Sequence, residues 1–419
     1  MCGISGIYST NQTLREEFVA SAIECQVHRG PDAQGSWSDD KHFSLAHNRL
    51  SILDLSSSGN QPMTSSCGRY TLAFNGEIYN HLELRKKYLQ DHSFNSHTDT
   101  ETILELFRLF GVSTQKEFLG MWAFLLCDSK EKSLYFSRDR FGQKPLYYAD
   151  IDEGIVFSSE IKPILRKLKP SINETMSAEY LSSGNYGHLG EETFYKEIKQ
   201  VLPSHWGKLG IDTEKVTTEA YWEIPELSER KGQLADKQFL SELKEIIKEA
   251  VISQTLSDVP IGITLSGGID SSVVAGILGK YYQEKFSIFT AQAPNSKWDE
   301  TKYVDAVLQR IKKDKYNLHS TDLNELMSVT DLDLLLNIQE EPFGDPSIMA
   351  HHGLMTLAKE NGIKVVLGGQ GADELFFGYS HSVNAVLTHC IRNLKLGIVL
   401  DWIRNGGLPP KLWIRIWFT

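Results

Sequence analysis

The segment VPIGITLSGGIDSSVVAGILGKYY, residues 259–282, passes from an apolar run through a Gly-Gly turn into a run of helix formers. Residues 259–265 read as a buried strand and 271–282 as a helix. Between them, Gly267 and Gly268 let the backbone turn tightly and approach a ligand with no Cβ in the way. Leu265, Ser266, Ser271 and Ser272 complete the loop LSGGIDSS. The free N–H groups and positive dipole end of the helix that follows suit phosphate. In open α/β sheets, ligands sit beyond the carboxyl ends of the strands. Asp270 would repel a bare phosphate, and its natural use is to hold Mg2+ on a pyrophosphate. A Gly-Gly turn with ordinary Ser/Asp capping is the alternative reading. The stretch VVLGGQGADELFFGY, 365–379, repeats the theme. There Gly368, Gly369 and Gly371 would bring backbone to a ligand, and Asp373 would be a second metal carboxylate or, with Glu374, a helix-terminal acid.

Outward from this loop, strand and helix alternate. KQFLSELKEIIKEAVISQTL has helical spacing, and KFSIFTA, DETKYVDAVLQRI and IKVVL read as strand, helix and strand. Such alternation predicts a parallel, doubly wound sheet. Before residue 206 the grammar differs. CGISGIYS, HFSLAHNRLSILDL, RYTLAFNGEIYN, MWAFLLCDS, SLYFSRD and GIVFSS are short runs bounded by turn formers, with helical segments near 14–27 and 99–110. They predict a largely antiparallel α+β domain. The polar stretch 206–235 reads as a linker. The predicted organisation is 1–205, linker 206–235 and 236–419.

Bulk properties narrow the class. The chain has 419 residues, a net charge of −11 and a pI near 5.7. That balance, without a Lys/Arg run, argues against nucleic acid. The five cysteines show no CxxC spacing, which points to a reducing compartment and a cytoplasmic protein. Charged residues interrupt the apolar C-terminal stretch, so no segment approaches the ~20 residues that span a bilayer.

Beside a nucleotide loop, the opening MCGISG gains a sharper meaning. Removal of Met1 would leave Cys2 with a free α-amine, a built-in base for its own thiol. Such a thiolate can attack the side-chain amide of glutamine and release ammonia. NGEIYN, 75–80, offers Asn75 and the Gly76 N–H as oxyanion donors. Arg49 suits a substrate carboxylate and Asp99 its ammonium. Each has a plainer reading: Asn75-Gly76 as a hairpin turn, Arg49 in a surface ion pair, Asp99 as a helix cap.

The chain resembles glutamine-dependent asparagine synthetases over essentially all its length. The resemblance is carried by MCGISG, HRGPD at 28–32, RLSILD at 49–54, QP at 61–62, NGEIYN, DTE at 99–101, RDRFGQKPLYY at 138–148, SSEIK at 158–162, SDVPIGITLSGGIDSS at 257–272 and GGQGADELFFGY at 368–379. It implies an N-terminal-nucleophile glutaminase domain, an αββα sandwich, followed by an α/β ATP-pyrophosphatase domain. It implies Cys2 as nucleophile, Asn75 and Gly76 as oxyanion donors, and Arg49, Ile52, Glu77 and Asp99 around glutamine. It implies Leu265, Ser266, Gly267, Gly268, Ser271, Ser272, Ile288, Gly368 and Gly369 around ATP, with Asp270 and Asp373 on Mg2+. Aspartate would be activated as β-aspartyl-AMP and amidated by ammonia carried through an internal tunnel. The implied partners are small molecules, with room for a homodimer.

Two departures accompany the resemblance. Family members often carry Ser-Gly-Glu-Gly where this chain has Gly368-Gly369-Gln370-Gly371, so the amidation step would have Gln370, which cannot act as a base. This leaves a uronic acid or polysaccharide carboxylate as an alternative acceptor. The family's later helical portion, with its Arg and Pro-Phe-Leu-Asp stretch, has no match between Ser380 and Thr419. The chain is therefore expected to be short at its C-terminus, with Trp413, Ile416, Trp417 and Phe418 as an apolar end. Glutaminase activity alone, or a non-catalytic role, is the further alternative.

Overall fold

The computed structural model describes residues 1–184, 190–211, 215–225, 237–294, 296, 299–329, 331–344, 347–376, 378–393, 395, 397 and 399–400. The apolar end at 413–418 lies outside the described residues. The chain divides into two compact units, one of residues 1–261 with 324–365 and one of 262–323 with 366–419.

The first unit holds two six-stranded antiparallel sheets. One runs in the order Ile198–Gln200, Tyr147–Ile151, Gly154–Ser158, Gly3–Tyr8, Phe43–Arg49, Ala33–Ser38. The other runs Thr217–Ala220, His205–Gly210, Ser133–Arg138, Gly120–Asp128, Tyr70–Ile78, Met63–Thr64. Ile4, Phe43, Leu45, Leu125, Phe136 and Phe157 fill the space between them. Helix Gln12–Cys25 packs Phe18 and Ala22 on the outer face of the first sheet. Helix Asp99–Phe110 packs Ile103 and Leu106 on that of the second, against Leu72 and Phe74. The result is a helix, sheet, sheet, helix sandwich. Central strands such as Gly3–Tyr8 are therefore buried on both faces and carry apolar runs rather than alternation. The edge strand Ala33–Ser38 alternates between half-buried and exposed positions.

Two local readings change. Asn75 and Gly76 are not a hairpin turn: they lie inside strand Tyr70–Ile78, opposite Ala123 and Trp122. Part of the stretch read as a linker is sheet, since His205–Gly210 pairs with Ser133–Arg138 and then with Thr217–Ala220. His205–Gly210 and the edge strand Thr217–Ala220 carry too little apolar signal to stand out in sequence.

A four-stranded sheet runs in the order Tyr316–Asp322, Phe286–Gln292, Ile261–Thr264, Val365–Leu367. Gly262 lies opposite Ser287 and Phe286 opposite Tyr316, both in parallel register. Helix Ile269–Tyr281 follows the first of these strands in sequence, and Thr301–Leu308 the second, as the alternation predicts. Among the described residues, no helix is long and apolar enough to cross a membrane, and all five cysteines are unpaired.

Candidate active site

Cys2 immediately precedes strand Gly3–Tyr8, whose antiparallel partner puts Gly3 opposite Asn48. That register sets Cys2 beside the end of the partner strand. The Leu50 N–H donates to Cys2 Sγ at 3.4 Å, and Sγ lies 3.8 Å from the Leu50 carbonyl. Arg29, from HRGPD, donates through Nε to the Cys2 carbonyl at 2.9 Å and through Nη1 to Glu160 at 3.1 Å. Gly30 is required there, because a Cβ would fall 2.2 Å from the Asn48 backbone. The Met1 amine is pushed down to about 5 by burial, with Cys2 opposing and Arg29 and Lys144 reinforcing.

One pocket gathers Cys2, Arg49, Ile52, Gly76, Glu77 and Asp99. Asn75 is buried beside it in the same strand as Gly76, and its Nδ2 has no hydrogen-bond partner. Asp99 is the first residue of helix Asp99–Phe110 and not its cap, which is Thr98, and it accepts from the Ile78 N–H at 2.8 Å. Burial pushes the Asp99 carboxyl up to about 7, against the N–H donors that favour its ionised form. Burial raises Glu77 well above the usual range, and the charges of Asp99 and Cys2 add to that. The buried Asp99 and the half-buried Glu77 thus line one pocket that would take a cation.

Arg49 lines this pocket, but its guanidinium is held by the pocket loop rather than a surface acid. Nη1 donates to Ser56 O at 2.7 Å and Asn60 Oδ1 at 2.9 Å; Nη2 donates to Leu53 O at 3.3 Å and to Asp54 O. Gly59 packs against it, and a Cβ there would meet Arg49 Nη2.

Several neighbours carry no role in the sequence reading, although they lie in the motif runs. Lys144 of RDRFGQKPLYY is buried and pushed down to about 8 by burial and Arg29, while Glu77, Cys2 and Asp139 draw it up. Asp139 organises that loop, accepting from the Phe141, Gln143 and Lys144 N–H groups at 2.9–3.1 Å. Gln61 accepts from the Phe74 N–H at 2.7 Å and donates to Thr100 at 3.1 Å, joining strand to helix beneath the pocket. A lone amide or acid within a motif gives no such pairing from sequence.

In the second unit, Leu265 is buried at the end of strand Ile261–Thr264, and Gly267 turns the chain at φ +91°. Ser266 Oγ lies 3.1 Å from Ser271 Oγ and accepts from the Gly268 N–H at 3.2 Å; Ser272 Oγ donates to the Gly268 carbonyl at 2.6 Å. Asp270 sits in the first turn of helix Ile269–Tyr281. The Gly369 loop abuts that turn, where a Cβ would lie 2.7 Å from the Ser271 nitrogen. Gln370 is exposed, with its amide folded back over Gly368. Asp373 starts a short helix and lies against Gly378. Ile288 is buried within strand Phe286–Gln292, opposite Ile263. A groove opens from Gly267, Ile269 and Ser272 toward Lys280, Arg310 and Lys312. Among the described residues, no group of three or more His, Cys, Asp or Glu stands close enough to hold a metal by itself. Magnesium needs no such cage, since it is bound by one or two carboxylates together with substrate phosphates.

The sequence matches the glutamine amidotransferase domain family over residues 1–222 and the asparagine synthase family over residues 242–405. A Methanocaldococcus jannaschii protein named "Putative asparagine synthetase 2", glutamine-hydrolyzing, is 34% identical over 421 residues, covering 94% of this chain and 78% of its own. Asparagine synthetase 1, glutamine-hydrolyzing, of Bacillus subtilis is 30% identical over 393 residues, covering 91% and 59%. Amidase chry2 of Gibberella zeae is 30% identical over 404 residues, covering 90% and 59%. The chain thus spans about three fifths of the length of the latter two.

Proposed function

The chain belongs to the glutamine-hydrolysing asparagine synthetase family, and from that premise we propose that it takes ammonia from glutamine at Cys2 to amidate a carboxylate activated with ATP, aspartate being the acceptor. The observation that carries this reading is the single pocket holding Cys2, Arg49, Gly76, Glu77 and Asp99, with the unpartnered amide of Asn75 buried beside it. We place the glutaminase domain ahead of the synthetase domain of 236–419, with strands His205–Gly210 and Thr217–Ala220 counted to the glutaminase domain, in the cytoplasm and as a homodimer.

The first half-reaction needs Met1 removed. The freed amine of Cys2 takes the thiol proton, and the thiolate attacks the side-chain amide carbon of glutamine. Asn75 Nδ2 and the Gly76 N–H stabilise the oxyanion. Asp99 and Glu77 hold the substrate ammonium, and Arg49 its carboxylate. Collapse of the tetrahedral intermediate expels ammonia, protonated on nitrogen by the amine, and leaves a thioester that water hydrolyses to glutamate.

In the second half-reaction, the loop 265–272 and Gly368–Gly369 take ATP, with Ile288 beneath them. Asp270 and Asp373 would hold Mg2+, which supplies charge neutralisation for the pyrophosphate leaving group. The aspartate carboxylate attacks the α-phosphorus, pyrophosphate leaves, and ammonia displaces AMP from β-aspartyl-AMP. Gln370 contributes hydrogen bonds and no base.

Glutamate and pyrophosphate release, measured together with glutamine and Mg-ATP, tests the whole. Pyrophosphate that appears only with aspartate is the expected result. Release driven by a uronic acid instead would transfer the reading to a sugar-acid acceptor. Glutamate without pyrophosphate under either acceptor would overturn the synthetase half.

A further inference from the structure

We propose that Asp258 is a positioning residue for the glutamine pocket, holding the pocket loop 52–60 from the segment that leads into the nucleotide-loop strand. The proposal rests on the reading of the Cys2 pocket as a glutaminase site. Asp258 stands in SDVP, just ahead of strand Ile261–Thr264 and the Ser266–Ser272 loop. Its N–H donates to the Ile52 carbonyl at 3.0 Å, and its Oδ2 accepts from the Asp54 N–H at 2.7 Å. The pair of bonds is reciprocal and spans 204 residues of sequence between Asp54 and Asp258.

Asp54 is the residue around which the loop is built. Its Oδ1 accepts from the Ser56 N–H at 3.1 Å and its Oδ2 from the His97 N–H at 2.9 Å, two residues before Asp99. Its carbonyl accepts from Arg49 Nη2. Its φ of +53° is a conformation that residues other than glycine seldom adopt, so no strand ladder or helix serves its N–H. Asp54 is only 9% exposed, so without Asp258 that donor is left with poor access to water. Two ends of the substrate pocket therefore hang on one contact. The carbonyls of Leu53, Asp54 and Ser56 fix the Arg49 guanidinium, and the His97 bond fixes the start of the helix that carries Asp99. Asp258 itself touches neither Cys2 nor, by this account, the substrate.

The test uses Asp258→Ala and Asp258→Asn in the full chain. The readouts are the KM and kcat for glutamate release and hydrogen exchange at the Asp54 and His97 amides. Asp258→Ala leaves a buried donor unsatisfied, so KM for glutamine should rise on the order of tenfold while kcat moves less than about threefold. Exchange at both amides should speed up in parallel. Asp258→Asn keeps the main-chain donor and a side-chain oxygen acceptor, so it should return KM to within about twofold of wild type. An unchanged KM in Asp258→Ala overturns the proposal, and so does equal damage in Asp258→Asn or a fall in kcat at constant KM. If the wild-type chain releases no glutamate, the glutaminase reading fails by itself. Exchange then decides the strap: faster exchange at the two amides in Asp258→Ala but not Asp258→Asn supports it, and unaltered exchange overturns it.

Discussion

Asp99 carries the sharpest residue-scale consequence. Its carboxyl is pushed up from the ordinary value near 3.8 to about 7, first by burial. Below the lower value the group is protonated in folded and unfolded chains alike. Between the two values the folded chain keeps a proton that the unfolded chain has lost, so this stabilisation is lost as pH rises through about 7. A bound ammonium reverses the preference, because it favours the ionised carboxylate. The KM for glutamine should therefore fall as pH rises from about 6 to about 8. Asp99→Asn should flatten that dependence and raise KM at the upper end by about ten- to a hundredfold, the scale of a hydrogen bond to a charged group. Parallel pH profiles for wild type and variant would remove Asp99 as the ammonium partner. The residue was legible in sequence as the acid opening a helix. Its elevated carboxyl was not, because burial beside Glu77 and beneath Ile78 is a property of the fold.

Elements explain why the two glycine loops matter and how far sequence could see them. Gly369 follows strand Val365–Leu367 and presses on the first turn of helix Ile269–Tyr281. An added Cβ would lie 2.7 Å from the Ser271 nitrogen and 2.8 Å from Asp270 Cβ. Neither atom can swing aside, so Gly369→Ala must part the two loops. A displacement of about 1 Å in a reacting geometry is worth about a hundredfold in rate, so ATP-dependent pyrophosphate release should fall on that scale while glutamate release keeps its kcat. Equal activity of Gly369→Ala and wild type in pyrophosphate release would remove this loop from the nucleotide site. Both loops were legible because strand, glycine and helix follow one another within a few residues. Helix Asp99–Phe110 was legible in its extent, although Thr98 caps it and not Asp99. The Asn-Gly pair at 75–76 carries a turn signal that pairing with Ala123 and Trp122 overrides. Strands Tyr147–Ile151, His205–Gly210 and Thr217–Ala220 escaped notice because pairing with Gly154–Ser158, Ser133–Arg138 and His205–Gly210 in turn holds them, not an apolar pattern of their own.

At the scale of the whole molecule, the proposed chemistry is distributed by unit. Cys2, Arg49, Asn75, Glu77 and Asp99 all belong to the unit of residues 1–261 and 324–365, whereas Asp270, Ser271, Gly369 and Asp373 belong to the other. Each set is assembled by contacts within its own unit: Arg29 and Leu50 around Cys2, and Ser266 with Ser271 around the nucleotide loop. Damage to one set should therefore leave the other chemically competent. Cys2→Ala removes the proposed nucleophile but no part of the Ser266–Ser272 loop, so glutamate release should vanish while ammonium salts still drive acceptor-dependent pyrophosphate release. Asp270→Ala removes a carboxylate proposed to hold Mg2+ but nothing near Cys2, so ATP cleavage should be lost while glutamate release continues. The paired measurement is decisive because a generally destabilised chain would lose both activities in both variants. Loss of both in Cys2→Ala alone would mean that ammonium cannot reach the second site independently. Persistent ATP cleavage in Asp270→Ala would move the metal carboxylate elsewhere. The opposed pattern, each variant silent in one assay and active in the other, is what two separately built sites on one chain require.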